Sequence, residues 1–174
     1  VARKDPARRS VLQMTTAQST LEEGIVAAVK EQLGSSVEDV KVDRKGRMSI
    51  VARKESIRDI AAWLQRLGFD HTIAVSGVDH LSEKIIEVIY FLSSYSRDDL
   101  KHLVVSLKVQ LDRGNPSLPT LTSVWESANL FERETHEMFG VNFEGHPNLR
   151  KLLLQDNWDG PPPLRKDITF PELA

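Results

Sequence analysis

Side chains capable of acid–base or metal chemistry crowd residues 132–146, among them Glu132, Glu134, His136, Glu137 and His146. A helical reading of residues 129–140 puts Leu130, Phe131, Met138 and Phe139 on one side, with Glu134 among them. A carboxylate there needs a partner, because an unpaired buried charge costs several kcal/mol. Arg150 and Arg165 are the bases expected to supply it. Arg133 and Glu137 fall together on the opposite side at i,i+4 spacing, and Glu132 and His136 are likewise one turn apart.

The spacing argues against three reactive readings. His136-Glu137 opens like the zinc-protease pattern H-E-x-x-H, but Gly140 stands where the second histidine belongs. A di-metal helix needs Glu-x-x-His, whereas Glu132 and His136 are four apart. Glu132 and Glu134 sit two apart on a helix, about 160° around it, so they cannot share a substrate as an acid/base pair. Convergence of the glutamates with His136 and His146 on a metal would make a stand-alone metal-dependent enzyme, and that is the second reading. The favoured one is an ion-pair lattice that fixes the helix and the tail after it.

That tail carries five prolines between residues 141 and 174, and Pro161–Pro163 calls for extended polyproline II geometry. Trp158, Leu164, Arg165, Lys166 and Phe170 surround it. Large apolar groups and arginine on an extended segment suit one chain wrapping another. The same tail could also fold back on its own sheet.

The elements that must position these residues come earlier in the chain. Thr20-Leu-Glu-Glu23 is a capping box before Leu21, Ile25, Ala28, Val29 and Leu33 at helical spacing, with Gly34 as a left-handed cap. Val37–Asp43 and Arg47–Arg53 read as strands across a Lys45-Gly46 turn. Ser56 is expected to cap a second helix, with Ile57, Ile60, Ala61, Leu64 and Leu67 on one face and Gly68 as its stop. Thr72–Val78, Ile85–Leu92 and His102–Leu111 read as strands. In the last, Leu103, Val105, Leu107, Val109 and Leu111 alternate with a largely polar set. Asp112–Pro116 supplies turn chemistry. Ser123-Val-Trp-Glu126 is a further capping box for a short helix, and Asn129 restarts one that runs to Phe139 and stops at Gly140. His71, His80 and His102 are scattered and read as surface or strand-edge residues.

This order predicts an α+β fold: two amphipathic helices packed on one face of a mixed sheet of about five strands. A short helix pair and an extended proline-rich C-terminal tail follow. The segments are a basic arm over residues 1–18, the α+β domain over 19–116, the signature helices and loop over 117–146, and a docking tail over 147–174, in one structural domain.

Composition narrows the function. The chain has 174 residues, enough for one domain with a real core, and a formal net charge of −2, which disfavours a wholesale nucleic-acid binder. Residues 1–13 hold four basic residues against Asp5 and read as a disordered arm or, given Met14, an upstream extension. With no cysteine there is no thiolate zinc site, cysteine-held cluster or thiol nucleophile. No apolar run reaches the roughly 20 residues of a membrane helix and no signal peptide is visible, so a cytosolic location is expected.

The stretch from Glu132 to Leu153, with its E-R-E start, Glu137, and Gly145-His-Pro-Asn-Leu-Arg-Lys151, closely resembles a known signature. It is similar to that of the thirty-kilodalton subunit of NADH:quinone oxidoreductase, respiratory complex I. Trp158, Gly160 and Pro163-Leu-Arg-Lys-Asp167 resemble that family's closing motif, although Pro161-Pro162-Pro163 carries an additional proline and Leu130 stands where Trp is common. The resemblance implies a non-catalytic subunit on the cytoplasmic side of a membrane complex, peripheral to the membrane and with no redox centre of its own. Its implied partners are a hydrogenase-like large subunit and a small iron–sulfur subunit, with no nucleic acid. Related chains serve membrane-bound hydrogenases and F(420)-linked dehydrogenases. Carried over residue by residue, Glu132, Arg133, Glu134, Glu137, Gly140, Gly145, His146, Pro147, Arg150, Trp158, Leu164, Arg165, Lys166 and Asp167 are expected to hold architecture and partner interface. No catalytic, cofactor or metal residue is expected.

Overall fold

A computed structural model describes residues 21–168. The basic arm, Thr20 of the first capping box, Phe170 and Pro171 lie outside the described residues. Helix α1 spans residues 21–33. It is followed by β1 (Val37–Arg44), β2 (Arg47–Ala52), α2 (Ile57–Leu67), β3 (His71–His80), β4 (Ile85–Ser93) and β5 (Val104–Asp112). Then come β6 (Ser117–Pro119), α3 (Ala128–Phe139) and β7 (Asn142–Glu144).

Strict alternation in β5 sets the sheet. Its inward residues Val105, Leu107, Val109 and Leu111 face Leu92, Tyr90, Val88 and Ile86 across the antiparallel β4 ladder. Met48 and Ile50 of β2 stand beside Val105 and Leu107 in a parallel pairing. Period-two geometry therefore gathers all of them on one face of a five-stranded sheet ordered β1-β2-β5-β4-β3. Ile25 and Val29 of α1, Ile57, Ile60, Ala61 and Leu64 of α2, and Ala128 and Phe139 of α3 join the same core. Each such Leu or Ile fully withdrawn from water contributes roughly 2 kcal/mol. The α+β class, the mixed five-stranded sheet and the tail without helix or strand match the expectation.

Gly77 explains how α3 seats on β3. A Cβ there would lie 2.5 Å from the Phe139 ring, so a bare backbone at this point lets the helix approach. Glu22, buried in α1, accepts the Gly46 N–H at 2.8 Å and ties α1 to the β1–β2 turn.

Several local expectations change. Gly34 is not left-handed. Its lack of a side chain matters because a Cβ would sit 2.6 Å from the Lys30 carbonyl. Ser56 makes no side-chain cap bond; α2 is entered through the 3-10 turn Lys54–Ser56, while Gly68 at φ 119° closes it as expected. Residues 122–124 form a turn rather than the first helix of a pair, with Trp125 N–H bonded back to Leu121 O. The Pro161–Pro163 run bends at its end, where Arg165 N–H bonds to Pro162 O. A parallel ladder, β6 with β7, joins two pieces of the 117–146 segment in which no strand is expected.

Candidate functional site

Helix α3 carries the signature, and its buried residues are Ala128, Glu132, Arg133, Thr135, Glu137 and Phe139. Glu134 is exposed, and Leu130 is 55% exposed. The expected wheel holds for Phe131, Met138 and Phe139 but fails for the charges: the carboxylate assigned to the inner side faces water, and the charges assigned to the outer side are buried. Neither Arg150 nor Arg165 partners Glu134. The reason lies in what α3 packs against besides β3, namely loop and tail segments whose backbone N–H and C=O groups need partners.

Glu132 makes the first of three grips. Its carboxylate accepts the Tyr90 hydroxyl at 2.9 Å, the Thr120 hydroxyl at 2.5 Å and the Leu121 N–H at 2.8 Å. It is wholly buried, and burial raises its pKa above the usual glutamate range, against the opposing pull of these three donors. Burial likewise pushes the Tyr90 hydroxyl well up, reinforced by the Glu132 charge. His146 Nε2 lies 4.0 Å from the same carboxylate. Its Nδ1 accepts the Asn148 N–H at 3.0 Å, which assigns the ring proton to Nε2, 3.2 Å from Asn129 O.

The second grip uses Arg133 and Glu137 on one backbone segment. Arg133 donates to the carbonyls of Arg150 (3.0 Å) and Lys151 (2.7 Å). Glu137 accepts the N–H groups of Leu152, Leu153 and Leu154 at 3.2, 2.8 and 2.8 Å. Desolvation alone would raise Glu137, but these three donors and nearby Lys151 outweigh it and hold the carboxyl below the usual range. The two side chains, expected to pair with each other, divide the work instead: the cation takes carbonyls and the anion takes amides.

The third grip straps the tail over the end of α3. Leu164 N–H bonds to Met138 O at 3.0 Å, and Arg165 Nε to Phe139 O at 2.8 Å, so the tail satisfies carbonyls that a helix end leaves open. Lys166 N–H bonds to Asp79 at 2.8 Å. Asp79, on the inner face of β3, is bridged by Arg113 at 2.7 and 3.0 Å, and Arg113 also binds Asp167. The Arg113 guanidinium holds the Asp79 and Asp167 carboxyls below the usual range. Gly140, left-handed at φ 73°, ends α3 where a Cβ would stand 3.0 Å from Pro162 and 3.2 Å from Arg165.

The remaining expected residues are peripheral to these grips. Gly145 is left-handed at φ 81° and lies against Arg58. Pro147, Arg150 and Lys166 are exposed, and Arg150 contributes its carbonyl rather than its side chain. Trp158 donates to Pro161 O at 3.3 Å, and Leu164 is 54% exposed. His136 Nδ1 bonds to Val141 O at 2.8 Å. Among the described residues no group of three or more His, Asp and Glu gathers as a metal site.

Tyr90, Thr120, Asp79 and Arg113 were missed. For Tyr90 a signal existed, since it lies in the expected strand Ile85–Leu92 two residues from Val88 and Leu92 on the core face; Asp79 lies one residue beyond the expected strand Thr72–Val78.

Fold and site together define an α+β module whose buried signature charges are bound to groups of its own chain and whose C-terminal arm is strapped to one helix. The family model described as "Respiratory-chain NADH dehydrogenase, 30 Kd subunit" matches residues 50–172. An NADH-quinone oxidoreductase subunit of Roseiflexus sp. (strain RS-1) is 39% identical over 149 residues, covering 82% of this chain and 83% of that one. An F(420)H(2) dehydrogenase subunit of Methanosarcina mazei is 32% identical over 144 residues, covering 82% of this chain and 89% of that one. A polypeptide from the structure of the membrane-bound sulfane sulfur reductase, an archaeal respiratory membrane complex, superposes with a TM-score of 0.73 at 26% identity. That match covers 84% of this chain and 85% of the other. The chain belongs to the 30 Kd subunit family of respiratory-chain NADH dehydrogenase, as its motifs lead one to expect. No described helix is long and apolar enough to cross a membrane.

Proposed function

We propose that this protein is a non-catalytic subunit of the hydrophilic arm of a complex-I-like oxidoreductase, which passes electrons from NADH or a related donor to quinone. In this reading it lies on the cytoplasmic side, peripheral to the membrane. It docks a hydrogenase-like large subunit next to a small iron–sulfur subunit and carries no redox centre. The supporting observation is the use of the signature charges: Glu132, Arg133, Glu137, Arg165 and Asp167 all bind groups of this chain itself. Side chains committed to backbone shape a surface; they are not poised over a substrate.

The Methanosarcina relative supports a second version of the same role, in which an F(420)-linked donor feeds the complex. Donor and acceptor would be chosen by other subunits, so the two versions share one test. The tagged protein is recovered from gently solubilised native membranes and its companions are identified by mass spectrometry. A hydrogenase-like large subunit and an iron–sulfur subunit are expected, and the input module names the donor. Recovery of this protein alone, soluble and monomeric, would overturn the proposal.

A further inference from the structure

The two oxygens of the buried Glu132 carboxyl are used unequally. Oε1 takes the Leu121 N–H at 2.8 Å and the Tyr90 hydroxyl at 2.9 Å. An amide can only donate, so Oε1 is fixed as an acceptor. Oε2 meets the Thr120 hydroxyl at 2.5 Å. A hydroxyl accepts as well as it donates, so this contact is satisfied with the proton on either oxygen. A neutral carboxyl group therefore fits the site without moving a heavy atom, with Oε1 as its carbonyl and Oε2 as its hydroxyl.

The surrounding charges favour that form. His146, from the segment after β7, brings Nε2 to 4.0 Å, but its Nδ1 accepts the Asn148 N–H, a bond that needs the neutral ring. Arg58 of α2 spends its guanidinium on Thr120 O and Glu144 O, and Glu144 of β7 binds Ser117. Strand β4 presents the Tyr90 hydroxyl. On α3 itself, Arg133 turns to carbonyls, Glu137 to amides and His136 to Val141 O. An anion at Glu132 would thus be wholly buried with no cation bonded to it among the described residues, and that is expensive in a dry site. Burial raises the proton affinity of Glu132 accordingly.

The Thr120 hydroxyl also leads outward. It lies 3.0 Å from the Thr122 hydroxyl, where either oxygen can be the donor, and it accepts the Thr122 N–H at 3.2 Å. Thr122 is partly exposed in the turn before α3. Two reversible O–H···O contacts therefore join a closed carboxyl group to the surface.

We propose that Glu132 is a buried proton-binding site, which donates from Oε2 to Thr120 in the folded protein and exchanges its proton with solvent through the hydroxyls of Thr120 and Thr122. On release the Glu132 O–H bond breaks and its proton passes to Thr120. Thr120 gives its own to Thr122, and Thr122 gives its own to water or a buffer base. Each hydroxyl ends with one proton turned the other way, and Glu132 ends with one negative charge. Uptake is the reverse. The donors and acceptors are paired in both settings, so the site loads and unloads without shifting the turn.

Infrared spectra of the full-length protein at about pH 6, above the ordinary glutamate value of about 4.3, test the site. The C=O stretch of a protonated carboxylic acid is expected in wild type. It should move when glutamate carries heavy carbon in its carboxyl group, and it should be missing from Glu132→Gln. Carboxylate bands alone in wild type would overturn the proposal, whether or not that variant folds. An acid band that persists in folded Glu132→Gln would overturn it too. Transfer into heavy water lowers the same band as a deuteron replaces the proton, and the rate of that change reads the path. Thr122→Val, with its thermal midpoint near wild type, should slow it about tenfold or more, because exchange must then wait for local opening. Thr122→Ser should restore the wild-type rate. Exchange as fast in Thr122→Val as in wild type would overturn the route through Thr122.

Discussion

Glu132 and Glu137 lie five residues apart on one helix, and their environments push their proton affinities in opposite directions. Burial raises Glu132, so the folded protein holds that proton more tightly than the unfolded one. The stability tied to it is present below the unfolded value and is lost as pH rises through the folded one. Glu137 feels desolvation too, but its three backbone donors outweigh it and the carboxyl is lowered. Its contribution is present above the unfolded value and is lost as pH falls through the folded one. Glu132→Gln should therefore keep most of the stability and flatten its decline as pH rises above the ordinary glutamate range. Glu132→Ala should cost about 3 kcal/mol, because the Leu121 N–H and the Tyr90 and Thr120 hydroxyls lose their acceptor in a dry site. Urea unfolding of both variants at several pH values checks this; equal losses for Gln and Ala would contradict it. Glu137→Gln should flatten the acid limb of the same profile. An acid limb identical to that of wild type would mean that the amides of residues 152–154 do not stabilise the charged carboxylate.

At the scale of elements, α3 is finished by a piece of chain that arrives from about 25 residues downstream: Leu164 caps Met138, and Arg165 caps Phe139. That cap depends on Asp79, which holds the Lys166 amide and the Arg113 bridge. Asp79→Asn should open the strap and raise tryptic cleavage between Arg165 and Lys166 by about an order of magnitude, since proteolysis follows local opening. Mass spectrometry of the fragments reads the site directly, and an unchanged cleavage rate would show that the strap holds without this carboxylate. Strand β5 and helix α2 were legible in the sequence because period and element agree, with apolar residues buried where the pattern puts them. Helix α3 was not. A hydropathy wheel assumes that a helix packs against apolar neighbours alone, and this one packs on β3 with one side and on backbone that needs charges with another. The tail motif was legible as a string, but its partners Asp79 and Arg113 lie far upstream, and no local pattern joins residue 79 to residue 166. The β6–β7 ladder was hidden for the same reason.

The whole molecule is one core with an arm attached by polar grips, and those two parts should respond differently to the same perturbation. Leu107, fully buried in β5, is flanked by Tyr90 and Ile50 across its two neighbouring strands. Leu107→Ala should cost about 3 kcal/mol of global stability through lost burial and the cavity left behind. The amides of β4 and β5, which exchange only on global unfolding, should then lose protection by roughly a hundredfold, at about 1.4 kcal/mol per factor of ten. The amides of Leu153, Leu154 and Lys166 depend on side-chain carboxylates at the surface of the fold, so they should exchange through local opening at an unchanged rate. Hydrogen exchange followed by mass spectrometry resolves the two sets in one experiment. If the arm lost protection in step with β5, it would belong to the core's cooperative unit. Independent exchange would mean that the arm is fastened to a core that folds without it, so that substitutions in the arm leave the folding of the core unchanged.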